Sequence, residues 1–349
     1  MLPVAIVILP PVISFWIALI LTARIKSYAV SRSLVDHPNQ RRSHSLPTPR
    51  GGGLAIVITV LGYLIFAGSL RLLDWKIVLG LAGGGLAVAG VGWADDVRSI
   101  PASGRLIVHF AAAAWTVAWL GGFPSLNVGV AVLSLGMVGS VFAVIALVWA
   151  TNLFNFMDGI DGIAAVETVC LGALSGLLFL LRHNSSWAAL SFVVAAAALG
   201  FLKWNWSPAS IFLGDVGSGF LGFFFGAIAI SSERAGTLPF LVWAILFAAF
   251  IIDATVTLLR RLPLGLWRQP HRTHAYQRAV QAGLSHARVS VGFALFNLFL
   301  GVAALLAVRH PEWMLPLLLV AAAAGVTMYL VIERRHPFNA DKVGRERPR

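Results

Sequence analysis

Long apolar runs alternate with short polar segments along the whole chain. The apolar runs lie near 3–23, 51–70, 77–94, 106–120, 128–150, 163–181, 187–202, 216–232, 239–259, 291–308 and 314–332. Most approach the roughly 17–25 residues that an α-helix needs to cross a bilayer. They predict an all-α, polytopic integral membrane protein with about 10–11 transmembrane helices. Residues 1–332 read as a single transmembrane catalytic domain, and 333–349 as a polar, basic tail without stable structure. The first run has no basic stretch before it and no small-residue cleavage site, so it reads as an uncleaved first helix.

Composition supports this pattern. The chain of 349 residues is 58% hydrophobic and only 11% charged, against about a quarter charged for a soluble domain. The formal net charge of +12 could suggest nucleic acid, but its distribution points elsewhere. Numbering the loops alternately puts 21 of the 26 Lys and Arg on one side, in 24–50, 95–105, 151–162, 203–215, 260–290 and the tail. The positive-inside rule makes that side cytoplasmic. The basic charge therefore reports topology, and no nucleic-acid partner is expected. The single cysteine, Cys170, lies in an apolar run and excludes an internal disulfide.

The polar clusters fall on that same side. Asp95 and Asp96 end one apolar run. Adjacent carboxylates repel and call for a cation, and at a helix C-terminus they also oppose the macrodipole. Mg²⁺ binds through one or two carboxylates plus substrate phosphates, which suits such a pair. Asn152, Asn155, Asp158 and Asp161 recur every three residues, so adjacent members share a helix face. Glu167 could extend that stripe or face another helix. Asp215, in Gly214-Asp215-Val216-Gly217-Ser218, reads both as an N-cap and as a phosphate or metal site at a helix N-terminus. Asn205 precedes it on the same inner loop. Asp253 lies inside an apolar run about 10 Å below the interface and reads as pocket-facing.

Two further clusters read as anion grips. His271, Arg272, His274 and Arg278 form a plausible phosphate grip, and zinc is disfavoured because no thiolate lies nearby. Arg50 with Gly51, Gly52 and Gly53 at a helix start could hold a pyrophosphate, or could with Arg41, Arg42 and His44 meet anionic lipid. His109 and His183 read as packing or surface residues.

Pro47-Thr48-Pro49-Arg50-Gly51-Gly52-Gly53, Asp95-Asp96, Asn152 through Asp161, Phe212-Leu213-Gly214-Asp215-Val216-Gly217-Ser218, Asp253 and His271-Arg272-Thr273-His274 occur in a telling order. The ordered set resembles the polyprenyl-phosphate N-acetylhexosamine-1-phosphate transferases, from about Asp36 to Arg278. The resemblance implies a Mg²⁺-dependent enzyme, with Mn²⁺ as a substitute. It implies transfer of sugar-1-phosphate from a UDP-N-acetylhexosamine to undecaprenyl phosphate, with release of UMP, at the cytoplasmic face of a bacterial inner membrane. By the same resemblance, Asp95, Asp96, Asp158 and Asp161 are catalytic, with Asp95 the candidate base. Asp215 and Asp96 hold metal. Arg50, Asn152, Asn155, Asn205, Asp253, His271, Arg272 and His274 hold substrate.

The phospho-MurNAc-pentapeptide transferase branch usually carries three consecutive histidines and a lysine three residues after the paired aspartates. This chain has His271-Arg272-Thr273-His274 and Ser99 there. The resemblance therefore favours the branch that initiates O-antigen or common-antigen glycans. It leaves open whether Arg98 or Arg105 supplies positive charge beside Asp96, whether attack is direct or passes through an aspartyl-phosphate, and whether the chain forms a homodimer.

Three rivals have different signatures. An ion-coupled transporter predicts midplane charges and inverted repeats. A CDP-alcohol phosphotransferase would carry an Arg after its Asp-Gly motif and a further aspartate pair downstream. A lipid-binding scaffold has no use for converging acidic clusters.

Overall fold

The computed structural model describes residues 2–36, 47–265 and 272–338. In chain order the elements are α1 (Leu2–Ser31), β1 (Val35–Asp36), β2 (Thr48–Pro49), α2 (Leu54–Ser69), α3 (Trp75–Arg98), α4 (Ala102–Trp119), β3 (Ser125–Asn127), β4 (Val132–Ser134) and α5 (Gly136–Met157). They continue with α6 (Ile163–Leu181), α7 (Ser185–Asn205), α8 (Asp215–Arg234), α9 (Phe240–Leu246), α10 (Ala248–Arg261), α11 (Ala275–Gln281), α12 (His286–Arg309) and α13 (Met314–Arg335). Every predicted apolar run is represented by a helix. The two sheets are two-stranded antiparallel pairs, β1 with β2 and β3 with β4.

The polytopic all-helical class holds, and the span count is lower than expected by length and hydropathy. Among the described residues eight helices are long and apolar enough to cross a membrane. A ninth span is counted if α9 and α10, which meet at 75°, form one broken crossing. Helix α2 is apolar but has only 16 residues. Helix α4 carries Arg105 and His109 within its 18 residues, which lowers its hydropathy. An apolar run predicted each of these helices but could not show the break or the short span.

Helix α8 is the centre of the bundle, between α3 and α5. Phe220, Phe223, Phe224 and Phe225 point from it in several directions, and all are fully buried. A helix that is apolar on every side must be covered on every side. Small residues let its neighbours approach. A Cβ on Gly222 would collide with the carbonyl oxygen of Ala150 on α5. Gly53, just ahead of α2, packs backbone to backbone against Gly217. Membrane helices associate through such close contacts, because lipid tails already solvate apolar side chains. The outermost helices show the complementary pattern. Ile8 and Trp16 of α1 and Leu319 and Leu330 of α13 are all exposed, as lipid-facing side chains are.

Helix ends differ from expectation in ways that matter to the site. Helix α3 runs on to Arg98, so Asp95 and Asp96 occupy its last turn. Helix α5 runs on to Met157 and carries Asn152 and Asn155. Glu333 to Arg335, expected to begin the tail, instead finish α13, and contacts of Glu333 and Phe338 pack this end of the chain against α10 and α11. Residues 339–349 lie outside the described residues.

Candidate active site

The loops and helix ends at one end of the bundle enclose a cavity of about 240 Å³. Arg50, Asp96, Asp158, Asp161, Asn205 and Asp215 all line it. These residues come from five separate stretches of chain, and the fold brings them to one place.

The best-defined part is the junction of α3 and α8. Gly214 is the N-cap of α8 at φ +78° and has no side chain with which to cap. Asp96 performs that task from α3. Its Oδ1 accepts from the Asp215 N–H at 3.1 Å, and its Oδ2 from the Val216 N–H at 3.2 Å. The carboxylate also meets the favourable end of the helix dipole. Asp96 is buried, and Arg50 Nε lies 3.9 Å from its Oδ1.

The cation beside Asp96 is therefore Arg50 and neither of the two expected candidates, Arg98 and Arg105; Arg105 serves the neighbouring carboxylates instead. Arg105 Nη1 donates to Asp95 Oδ2 at 2.8 Å and to Asp215 Oδ2 at 2.5 Å. Arg98 is exposed. Asp95 is further held by the Ile100 N–H at 2.5 Å. It stands just behind the cavity wall, joined to Asp215 through Arg105. Asn155 Nδ2 donates to Ser218 Oγ at 3.1 Å on the first turn of α8, and its side chain also reaches Asp215.

The Asn/Asp stripe divides in the fold. Asn152 Nδ2 bonds back to the Val148 carbonyl at 2.7 Å on its own helix and does not line the cavity. Asp158 ends α5 and faces the cavity. Shelter from solvent, and then the nearby carboxylates of Asp215, Asp96 and Asp161, hold its carboxyl well above the usual aspartate range. Asp161 moves the other way. Burial raises its pKa, but His286 Nδ1 at 3.2 Å and the Ala209 N–H at 3.2 Å outweigh that and hold it below the ordinary value. Asn205 lines the cavity while both ends of its amide bind backbone: Oδ1 takes the Gly162 N–H at 3.1 Å and Nδ2 donates to the Ile211 carbonyl at 3.0 Å.

Asp253 does not take the pocket-facing place expected of it. Its Oδ1 accepts from the Ala275 N–H at 2.8 Å and its Oδ2 from the Tyr276 N–H at 3.0 Å. It caps α11 from α10, as Asp96 caps α8 from α3. A seven-residue helix cannot hold itself, so a buried external cap fixes its position. His274 is buried between Phe156 and Tyr276, with Nδ1 3.4 Å from Asp253 Oδ1. Neither His274 nor Arg272 lines the cavity. His271, Arg41, Arg42 and His44 lie outside the described residues. Glu167 faces another helix, where Asn297 Nδ2 of α12 donates to it at 2.5 Å.

Three polar or charged lining residues were not picked out as site residues from the sequence: Asp36, Gln277 and His286. Asp36 arrives through the β1–β2 pair beside Arg50. His286 follows Ser285, the N-cap of α12, and in sequence looks like an ordinary polar helix start. Gln277 stands next to Arg278 inside an already recognised cluster.

Among the described residues no three His, Cys, Asp or Glu side chains form a ready-made metal cage. Mg²⁺ does not require one, because water and substrate phosphates complete its shell. Asp96, Asp158, Asp161 and Asp215 all line one cavity, and the crowding of carboxylates there is what a divalent ion would relieve. The donor set therefore fits Mg²⁺.

An all-helical membrane bundle with paired carboxylates and arginines at one end has the features of a membrane phosphotransferase site. Residues 78–233, which include Asp95, Asp96, Asp158, Asp161 and Asp215, match glycosyl transferase family 4. The chain is 30% identical over 320 residues to the decaprenyl-phosphate N-acetylglucosaminephosphotransferase of Mycobacterium tuberculosis (strain ATCC 25618 / H37Rv), covering 81% of this chain and 77% of that one. It is 28% identical over 317 residues to a probable undecaprenyl-phosphate N-acetylglucosaminyl 1-phosphate transferase of Bacillus subtilis (strain 168), covering 87% and 85%. A phospho-N-acetylmuramoyl-pentapeptide-transferase of Moorella thermoacetica is 26% identical over 311 residues, covering 86% and 94%. The chain belongs to glycosyl transferase family 4, with the polyprenyl-phosphate sugar-phosphate transferases.

Proposed function

We propose that this chain transfers N-acetylhexosamine-1-phosphate from a UDP-sugar to undecaprenyl phosphate, giving the diphosphate-linked lipid sugar and UMP. It is a sugar-1-phosphate transferase, not a transporter. The observation that carries the reading is the meeting of Asp96, Asp158, Asp161 and Asp215 with Arg50 and Arg105 at one end of a lipid-embedded bundle. The named relatives act on N-acetylglucosamine, so UDP-N-acetylglucosamine is the first donor to test. The O-antigen or common-antigen role rests on the His271–His274 pattern and Ser99. The basic bias of the loops on the site's side supports a cytoplasmic face in a bacterial inner membrane.

In the reaction an oxygen of the lipid phosphate attacks the phosphorus that bears the sugar, and the bond from that phosphorus to UMP breaks. Anion meets anion, so catalysis is chiefly positioning and charge neutralisation. Arg105, held between Asp95 and Asp215, fixes the Asp215 carboxylate at the cavity, and Asp95 behind it is assigned as the base that keeps the attacking phosphate ionised. Arg50 sits across the cavity beside Asp96. Mg²⁺ held by Asp215, with Asp158 or Asp96 as second carboxylate, would neutralise the phosphoryl charge. Asp158 is the freer of the two, since Asp96 already receives two backbone N–H groups.

The test is direct. Purified protein with Mg²⁺, undecaprenyl phosphate and radiolabelled UDP-GlcNAc, UDP-GalNAc or UDP-FucNAc should yield labelled lipid and UMP from at least one donor. No labelled lipid from any of the three would overturn the proposal.

A pH prediction follows from Asp158. Its proton leaves only above the usual aspartate range, so its ionised fraction falls on acidification while ordinary aspartates remain charged. A bound cation competes with that proton. The acid limb of kcat/KM should therefore move to lower pH as Mg²⁺ is raised. A limb whose midpoint ignores Mg²⁺ would remove Asp158 from the metal site.

A further inference from the structure

We propose that the C-terminal end of α13 is a clamp on α11, and that Glu333 is thereby a positioning residue for the Gln277 and Asp158 side of the cavity, the side to which we assign the UDP-sugar. The inference rests on the sugar-1-phosphate transferase reading and adds a residue far in sequence from the recognised clusters.

Glu333 Oε2 accepts from Arg260 Nη1 on α10 at 2.6 Å and from Arg278 Nη1 on α11 at 2.5 Å. Its Oε1 takes the Phe338 N–H at 3.0 Å. Arg278 Nη1 also donates to the His336 carbonyl at 2.9 Å, and the guanidinium lies 5.0 Å from the Tyr329 ring centre. Arg260 lies 5.2 Å from the Phe338 ring, and His336 Nε2 is 3.0 Å from Gln281 Oε1. The two arginines would repel without the carboxylate between them. Arg278, which the sequence placed in a phosphate grip, is buried and committed to this clamp.

The other side of α11 rests on the cavity. Tyr276 Oη donates to the Phe156 carbonyl at 3.0 Å, two residues before Asp158. Gln277 lines the cavity itself. A Cβ on Gly159 would collide with Tyr276 Oη and lie 2.7 Å from Gln277 Nε2, so α11 and the Asp158–Asp161 turn are in close contact. Helix α11 is thus a strut between the chain's last described residues and the turn that carries Asp158. It is too short to keep its position alone. Its cap on Asp253 holds one end, and Glu333 holds the other.

Steady-state kinetics of Glu333→Gln, Arg278→Gln, the double variant and Glu333→Asp, with thermal melts of each, test the clamp. The two Gln variants should lower kcat/KM for the UDP-sugar about tenfold to a hundredfold, mainly through KM, with the KM for polyprenyl phosphate unchanged. The double variant should lose clearly less than the product of the two single losses, because the Glu333–Arg278 bond that both remove can be lost only once. Glu333→Asp should recover part of the loss. Folded variants with the wild-type donor KM would overturn the clamp, as would losses that multiply in the double. If Glu333→Gln does not fold, Tyr276→Phe decides. It cuts the far end of the strut, and a wild-type donor KM there would also overturn the proposal. An inactive wild-type protein would sink the transferase reading, whereas an active wild type with indifferent variants sinks the clamp alone.

Discussion

Asp215→Asn is expected to lower transfer on the order of 10³-fold while the protein still folds and inserts. The substitution keeps the side-chain shape and changes its charge. The Asp215 N–H still bonds to Asp96, and Arg105 still has Asp95, so α3 and α8 stay together. What is lost is the carboxylate at the first turn of α8, where metal and phosphates are to meet. Arg105 also gains a less anionic neighbour and is free to swing toward Asp95 alone. UMP release under saturating substrates, beside a thermal melt, separates the two effects. Activity within about tenfold of wild type, with a normal melt, would rule out Asp215 as the metal ligand. Asp95→Asn should be similarly damaging, because it removes both the proposed base and the second anchor of Arg105.

Gly92→Ala is expected to damage both folding and activity, with more than a hundredfold loss of transfer and a clear fall in melting temperature. Helix propensity alone predicts the opposite, since Ala is better than Gly in a helix interior by about 1 kcal/mol. The contact decides the sign. A Cβ at Gly92 would stand 2.5 Å from the Asp215 oxygen, 2.6 Å from its carbonyl carbon and 2.7 Å from the Val216 nitrogen. These are backbone atoms and cannot rotate away. Helices α3 and α8 would have to separate, at the overpacking cost of about 1–3 kcal/mol. The same movement pulls Asp96 from the two N–H groups that it caps and Asp215 from Arg105. Gly90→Ala is the control, because a Cβ there meets nothing within 4 Å. It should be active and as stable as wild type or slightly more so. Equal behaviour of the two variants would show that the α3–α8 contact is not tight.

The apolar runs and the acidic clusters were legible because each is a local signal. Lipid demands about twenty apolar residues in a row, and a carboxylate near lipid needs a reason to be there. Asp96, Asp158, Asp161 and Asp215 stood out for that cause, and the fold places all four on one cavity. The companion signals were weaker. Asn152 and Asn155 lie three apart on one helix, yet one bonds its own backbone and the other reaches α8. Asp253 looked like a buried charge in search of a substrate, and its partners turned out to be N–H groups 22 and 23 residues downstream.

By itself the sequence determined the membrane class, the side on which the charges gather and the carboxylates that the chemistry needs, because hydropathy and charge act residue by residue. Only the tertiary structure decided that Arg105 rather than Arg98 bridges Asp95 to Asp215, that Asp96 and Asp253 cap helices they do not belong to, that His286 holds Asp161, and that Glu333 holds Arg278. Each of those pairings joins distant stretches of chain. Such a pairing depends on how closely helices approach, and that distance is set by packing at glycines such as Gly92 and Gly159.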